Sequence, residues 1–311
     1  MKVLPNYHPE SIDQVPMISI IMPSYNHASY IRQSIESVIN QEYSNWELLI
    51  IDNYSTDETD YVLQGFSNEK IKITKINNGG SIAVSRNVGV RQAKGEWVAF
   101  LDSDDLWATD KLLVCSGFFS RDVDFIYHDM SIFYNNHKKN SGVIKSRQVR
   151  HPVLNDLLLN GNTIATSSVI VRKSHLFQID GMNESLAMKG TSDFNTWLKI
   201  ARITEHFKHV PYNLGSYRRH DQNVSEIDNF ILPREAIEEF LHLLSVRERS
   251  HLECHFNYVR GRLKYKSGKY SECRTDLLKV VIARGRFVEF IKSMWMIFMS
   301  YAILFAKRLI K

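Results

Sequence analysis

The sequence predicts an α/β fold, a doubly wound and mostly parallel sheet followed by a C-terminal helical extension. Three observations lead there. Short β-branched segments alternate with helix-period segments up to about residue 110. Each apolar segment runs into a string of polar turn- and cap-forming residues. From about Leu232 to Lys279 helical spacing takes over.

Ile18-Ser19-Ile20-Ile21-Met22 is a short strand stopped by Pro23, with Ser24-Tyr25-Asn26 as its turn. Ile31, Ile35, Val38 and Ile39 follow at helical spacing, ending near Asn40. A second strand, Trp46 to Ile51, runs into Asp52-Asn53-Tyr54-Ser55-Thr56-Asp57, whose cap formers predict a helix opening at Ser55 or Thr56. Ile71 to Ile76 is a third strand, followed by Asn77-Asn78-Gly79-Gly80 and a helix from about Ser81 to Ala93. The fourth strand, Trp97 to Leu101, ends in Asp102-Ser103-Asp104-Asp105. Open parallel sheets bind ligands beyond the carboxyl ends of their strands, so the polar strings at 23–26, 52–57 and 102–105 are expected to converge on one crevice. Further along, Phe125 to His128 and Ser168 to Arg172 read as strands, Lys138 to Arg150 as a mobile basic loop, and Thr191 to Ile203 as a helix.

The composition is that of a globular protein: 311 residues, 44% hydrophobic and 23% charged. A net charge of +5 is too small to imply a nucleic-acid partner. The excess is also local. Arg284, Arg286, Lys292, Lys307, Arg308 and Lys311 face Glu289 alone in the last segment, so the body of the chain is neutral. Cys115, Cys254 and Cys273 are scattered and odd in number, which points to a reducing compartment. The polar N-terminus has no apolar h-region and does not read as a signal peptide. No G-x-G-x-x-G follows the first strand and no P-loop motif occurs, so dinucleotide and P-loop chemistries lack support. Pro23-Ser24-Tyr25-Asn26 stands where a nucleotidyltransferase would carry a Gly-rich loop and Lys. His251, Cys254 and His255 lack a second ligand pair and read as an ordinary amphipathic helix rather than a zinc site.

Asp102-x-Asp104 carries the clearest chemistry. Two carboxylates at i and i+2 on a turn can both approach one divalent ion, and Mg²⁺ or Mn²⁺ typically shares one or two carboxylates with substrate phosphates. Alone, such a pair merely punctuates a turn, so its weight comes from its surroundings. Pro23-Ser24-Tyr25-Asn26, then Asp52 to Asp57, then Asn78-Gly79-Gly80 leading to Arg86-Asn87-x-Gly89, then Asp102 to Asp105 form one ordered series. Through it, residues 18–107 resemble the family 2 glycosyltransferases of the GT-A fold. A looser likeness continues beyond. Gly181-Met182-Asn183-Glu184 with Thr191-Ser192-Asp193-Phe194-Asn195-Thr196-Trp197-Leu198 is similar to the family's segment carrying the catalytic base, with Ser192 where the family has Glu. Tyr217-Arg218-Arg219-His220, with Asn223 and Ser225, resembles the element whose His approaches metal and diphosphate.

The resemblance implies an inverting, metal-dependent transferase moving a sugar from a nucleotide-diphosphate donor to a glycan or lipid-linked glycan, as in surface polysaccharide, lipopolysaccharide or capsule synthesis. Asp104, with Asp102 and His220, would hold Mn²⁺ or Mg²⁺. Pro23, Tyr25, Asn26, Asp52, Asn53, Arg86, Asp102 and Ser103 would hold the donor nucleotide. Asp193 would be the base. Arg86 either reaches the phosphates or pairs with a nearby acid, and Asp193 alone also reads as a helix-start carboxylate. Asn53 stands where many relatives carry Asp, which leaves thymidine or guanosine donors open beside uridine. The alternative is a non-catalytic, transferase-like scaffold. The implied organisation is a lead (1–16), a nucleotide-sugar-binding half (17–110), an acceptor-binding half (111–230) and a helical extension with an apolar, basic tail (231–311).

In that tail Phe287, Phe290, Ile291, Met294, Trp295 and Phe298 recur at helical spacing, with Met296, Ile297, Ile303 and Leu304 on the other side. A helix apolar nearly all round, flanked by cations, is expected on an anionic membrane surface or docked on the extension or a second subunit. Its longest uncharged run, Ser293 to Ala306, is 14 residues. That is about 21 Å of helix against roughly 30 Å of hydrocarbon. The expectation is therefore a peripheral protein on the cytoplasmic, inner face of the cell membrane.

Overall fold

The computed structural model describes residues 15–134, 137–220, 234–283 and 286–309. Most of the predicted lead, Asn223 and Ser225 lie outside them. The described residues fall into two compact units, the first within Met1–Leu154 and Thr163–Val224, the second within Asn155–Asn162 and Ser225–Lys311.

The first unit is built as β1 (Ile18–Ser24), α1 (Ala28–Ile39), β2 (Trp46–Asp52), α2 (Thr59–Gln64), β3 (Ile71–Lys75), α3 (Ile82–Gln92), β4 (Trp97–Phe100), β5 (Leu106–Trp107), α4 (Lys111–Ser116), β6 (Phe125–Tyr134) and β7 (His137–Ile144). After α5 (Val153–Asn160), most of which belongs to the second unit, a 3₁₀ turn at Thr166–Ser168 leads into β8 (Ile170–Arg172), α6 (Lys173–Gln178), α7 (Ser192–Ala201) and β9 (Phe207–Arg219) of the first. The sheet runs β3-β2-β1-β4-β8-β6-β9-β5, with β7 added to β6. β1 pairs parallel with β2 and β4, and β2 with β3, while β8 pairs antiparallel with β4 and β6. Parallel strands covered on both faces become continuous apolar runs, and every residue of β1, β2 and β4 is buried. The predicted α/β class with its mostly parallel first half is what forms.

Two local expectations are corrected. The basic stretch 138–150, predicted as a mobile loop, supplies most of β7, which pairs antiparallel with β6 from Met130↔Ile144 to Tyr134↔His137. Backbone pairing needs no apolar alternation, so a polar edge strand carries no periodic signal. The helix predicted to open at Ser55 or Thr56 begins at Thr59 instead. Ser55 and Thr56 spend their hydrogen bonds on Asp52 and Asn26, which holds the segment as a loop.

At the amino ends of the strands a buried carboxylate ties several elements together. Glu47 Oε1 accepts from Ser19 Oγ at 2.8 Å and from the Lys94 N–H at 2.7 Å, and its Oε2 accepts from Lys72 Nζ at 2.8 Å. Ser19 Oγ in turn accepts the Gly95 N–H at 2.8 Å. Close approach also needs glycine here. A Cβ on Gly89 of α3 would lie 2.5 Å from Ile21 Cγ2 of β1, which fixes how closely that helix rides on the sheet.

In the second unit, α8 (Arg234–Ile237) precedes α9 (Val246–Lys266), α10 (Tyr270–Ile282) and α11 (Phe287–Leu309). Ser245 and Glu248 close a capping box at the start of α9. Tyr258, Val259, Cys273, Leu277, Val280 and Met296 form the core between the last three helices. His255 does not gather ligands with His251 and Cys254; its Nδ1 lies 2.8 Å from Glu289 Oε1 of α11. The tail expectation is corrected in length. α11 is one continuous helix whose stretch Phe287–Ala306, 20 residues, is long and apolar enough to cross a membrane by length and composition. That is about 30 Å of helix. Counting uncharged residues alone stopped at Lys292 and missed that Glu289 is buried against His255.

Burial alone would raise the Glu47 carboxyl, but hydrogen bonds from Lys72, the Lys94 N–H and Ser19 outweigh it and hold the pKa below its ordinary 4.5. A carboxyl lowered by folding adds stability above its unfolded value and loses it as pH falls through the folded one. Glu47→Gln should therefore cost about 1.5–3 kcal/mol at neutral pH. The gap from the parent should close as denaturant melts are repeated at pH values falling below 4.5.

Candidate active site

The carboxyl ends of β1, β2 and β4 meet as expected. Asn26 sits in the left-handed region, φ 54°, a conformation its short polar side chain tolerates. Its N–H donates to Ser55 Oγ at 2.9 Å and its Oδ1 accepts from the Thr56 N–H at 2.8 Å. The His27 N–H donates to Thr59 Oγ1 at 3.1 Å, and Ala28 N–H to Asp57 Oδ2 at 3.0 Å. Asp57's partial burial would raise its pKa, yet donors from Thr59 and Ala28 keep it below the ordinary carboxyl range. The two turns are thus sewn side chain to backbone.

Within this frame the predicted donor residues divide. Pro23 and Asp52 are buried, and Asp52 accepts from the Ser55 N–H at 2.9 Å and Ser55 Oγ at 2.6 Å, so it shapes the turn from within. Asn53 Oδ1 accepts from the Asn78 N–H at 2.8 Å, joining the third crossover to the site. Tyr25 is 51% exposed, and Tyr54, which sequence reasoning passed over, is 58% exposed at φ 47°.

The Asp102–Asp105 turn is the densest part. Arg86 Nη2 donates to Asp102 Oδ1 at 2.7 Å, so of the two sequence readings of Arg86 the acid pair is the one formed. Arg86 Nε is buried with no partner among the described residues. Ser103 is buried, with Oγ 2.7 Å from His27 Nδ1 and its carbonyl accepting from Ser34 Oγ. Asp104 Oδ2 lies 2.9 Å from His220 Nε2. Asp105, also buried, accepts from Ser167 Oγ at 2.6 Å and from the Arg218 N–H at 3.0 Å. Arg218 Nε donates to the Asp104 carbonyl at 2.7 Å and Nη2 to Gln33 Oε1 at 2.8 Å, which fastens the end of β9 to the turn.

Burial pushes the Asp105 carboxyl well up, and the neighbouring Asp104 and Asp102 charges add to that. Asp102 is raised for the same first reason, with Arg86 opposing. Burial lowers the pKa of His27 against the pull of Asp104.

One ligand atom each from His27, Asp104 and His220 lies within 4.8 Å of the others, the one such His/Cys/Asp/Glu group among the described residues. Two imidazoles and a carboxylate form a donor set that fits a divalent cation. Asp102, predicted beside Asp104 as a ligand, is not in that group, because its carboxylate faces Arg86.

Asp193 starts α7, and its Oδ2 accepts from Thr166 Oγ1 at 2.7 Å. The same 3₁₀ turn supplies Ser167, whose Oγ also accepts the Asp102 N–H at 3.1 Å and whose carbonyl accepts from Trp107 Nε1 at 2.8 Å. Two adjacent residues, Thr166 and Ser167, therefore position Asp193, Asp102 and Asp105 together. Asn87 of α3 clamps the loop before α7, with its Oδ1 accepting the Met182 N–H at 2.8 Å and its Nδ2 donating to Glu184 Oε1 at 2.8 Å. Gly181, φ 72°, is required there, since a Cβ would lie 2.7 Å from Asn87 Oδ1. Sequence reasoning missed His27, Thr166, Ser167, Asp105 and Arg218 as site residues. A histidine directly after the Pro23–Asn26 turn was the available signal for His27, whereas Thr166 and Ser167 lay inside no motif.

Comparison with known proteins gives the family and the fold. The family model described as glycosyl transferase family 2 matches residues 19–176. The E. coli UDP-Glc:alpha-D-GlcNAc-diphosphoundecaprenol beta-1,3-glucosyltransferase WfgD is 40% identical over 121 residues, 39% of this chain and 48% of that protein. WfaP, an E. coli enzyme of the same description, is 29% identical over 80% of this chain and 95% of its own. Over the first three curated relatives the matched segment spans less than half of their length, 39% to 48%. The solved structure of S. aureus TarS 1-349 in complex with UDP-GlcNAc superposes with a TM-score of 0.63 at 19% identity, covering 89% of this chain and 81% of that one. The fold is of the GT-A type.

Because Ser167 carries both Asp105 and the Asp102 N–H, Ser167→Ala should destabilise the first unit by about 1–3 kcal/mol, the cost of leaving a buried acceptor short of a donor. Chemical denaturation of the full chain measures it, and an unchanged midpoint would mean the turn is held by other contacts.

Proposed function

The chain belongs to glycosyl transferase family 2, and on that footing we propose that it is an inverting, metal-dependent glycosyltransferase that moves a sugar from a nucleoside-diphosphate donor to a glycan or lipid-linked glycan. The observation that carries this reading is the Thr166–Ser168 turn, which ties a base candidate and a D-x-D turn into one constellation. Departure of a nucleoside diphosphate leaves charge to be stabilised on one side of the sugar, and attack by a hydroxyl requires proton removal on the other. Asp193 takes the acceptor proton, and a single base with in-line attack inverts the anomeric centre. Asp104 and His220 would hold a divalent cation, which when bound would supply Lewis-acid stabilisation of the leaving diphosphate. Tyr25, Asn53 and the exposed Tyr54 line the edge where base and ribose sit, with Asn26 and Asp52 shaping the turn beneath them. The printed names of WfgD and WfaP, a UDP-glucose donor and a diphosphoundecaprenol acceptor, support a lipid-linked glycan acceptor here.

The polarity of α11 supports a membrane surface as its partner. Glu289, Ser293, Met296 and Ser300 are buried at helical spacing, while Phe287, Ile291, Met294, Trp295, Phe298 and Phe305 are exposed. That inverts the pattern of a water-facing helix, because small and polar residues face the neighbouring helices and large apolar ones face out. Arg286, Lys292, Lys307 and Arg308 flank or interrupt the run and match the charge of anionic headgroups. The protein then works on the inner face of the cell membrane, where a lipid-linked acceptor is presented.

Asp193→Asn should lower kcat by about 10²–10⁴-fold with donor binding retained, measured as transfer and as metal-dependent donor hydrolysis over a panel of nucleotide sugars. No turnover with any donor by the parent, alongside unchanged binding, would instead identify a non-catalytic scaffold. Phe298→Glu should abolish cosedimentation with anionic vesicles and leave binding of soluble donor intact; retained sedimentation would refute the membrane assignment.

A further inference from the structure

Resting on the metal-dependent reading of this site, we infer that His27, rather than Asp102, completes the protein's share of the cation site with Asp104 and His220. Their ligand atoms already lie within 4.8 Å of one another. His27 is built to stay there. Its N–H is held by Thr59 Oγ1, and its Nδ1 lies 2.7 Å from Ser103 Oγ, in the very turn that carries Asp104. Fixing one ring nitrogen of a histidine through a neighbouring group orients the ring and leaves the other nitrogen for a cation. The rings reinforce one another. Tyr30 stacks on His220 with centroids 4.7 Å apart, and His27 meets Tyr30 edge-on at 5.7 Å and His220 at 6.0 Å. Asp102 is diverted by Arg86, a guanidinium that is 4% exposed.

Two consequences separate this arrangement from a D-x-D pair that grips the ion only through oxygen and the donor's phosphates. A three-ligand set exists before any nucleotide arrives, so the cation binds the free protein. Two imidazoles and one carboxylate also shift the preference toward first-row transition ions and away from Mg²⁺, which favours all-oxygen surroundings.

The test is a Mn²⁺ titration of the nucleotide-free, full-length protein followed by EPR, with pulsed measurements that resolve nitrogen couplings from bound imidazole. The wild-type spectrum should carry couplings from two imidazoles, and Mg²⁺ should displace Mn²⁺ poorly. His27→Ala should leave one imidazole and weaken Mn²⁺ about 10–100-fold, as loss of a positioned ligand does. Asp102→Asn should keep both couplings. A wild-type spectrum with one imidazole overturns the inference without recourse to any variant, as does survival of both couplings in His27→Ala or their loss in Asp102→Asn. Asp104→Asn separates this from the broader reading. If it abolishes Mn²⁺ binding while His27→Ala leaves the couplings untouched, only the role of His27 fails; if Mn²⁺ binding survives Asp104→Asn unchanged, the metal reading of the whole site fails with it.

Discussion

Asp105 is the residue on which the site's geometry depends. It is a carboxylate with almost no solvent, and it is tolerated because Ser167 Oγ and the Arg218 N–H meet its two oxygens. Those two donors come from parts of the chain far apart in sequence, the 3₁₀ turn before β8 and the end of β9. Satisfying one buried acid therefore brings three segments to a common point. Asp102 and Asp104 are presented to the crevice because the residue after them cannot leave. Arg218 completes the lock by donating to the Asp104 carbonyl and reaching Gln33 of α1. His220 follows two residues later, and its meeting with Asp104 is a by-product of that fastening.

Much of this was legible in the residues themselves. β1, β2 and β4 announced themselves because strands buried on both faces become near-continuous apolar runs, and each ended in polar residues that read as turns. The crevice at their carboxyl ends followed from parallel topology. What the sequence concealed had specific causes. β7 pairs through its backbone, so the polar run from Lys138 onward gave no periodicity to read. The start of α2 moved to Thr59 because Asp52 and Asn26 compete for the donors of Ser55 and Thr56, a contest decided by tertiary placement rather than by capping preference. His27 and Ser167 gain their roles only by proximity to residues 76 and 62 positions away. A spacing argument sees neighbours along the chain, and these are neighbours across the sheet.

The second unit shows the same limit in another form. Composition identified an apolar, basic tail but could not orient it. Once α11 packs beside α9 and α10, Ser293 and Ser300 turn out to be fully buried and Glu289 paired with His255, while Lys292 stays exposed. A hydrophobic count treats every face of a helix alike, whereas packing distinguishes them.

The Glu47 knot lies at the opposite pole of the sheet from the crevice, and the distance between them matters for how substitutions act. One pole concentrates a single well-neutralised acid among donors from two strands and a loop; the other crowds several acids, where burial and neighbouring charges push the Asp102 and Asp105 carboxyls up. Durability and reactivity are thereby lodged in separate residues. Random substitutions in this unit would be expected to sort by pole, those near Glu47 showing as lost abundance and those exposed in the crevice as well-expressed but inert protein. Outside Asp105 and Ser167, the fold can thus admit variation at exposed crevice positions without drawing on the contacts that keep it folded.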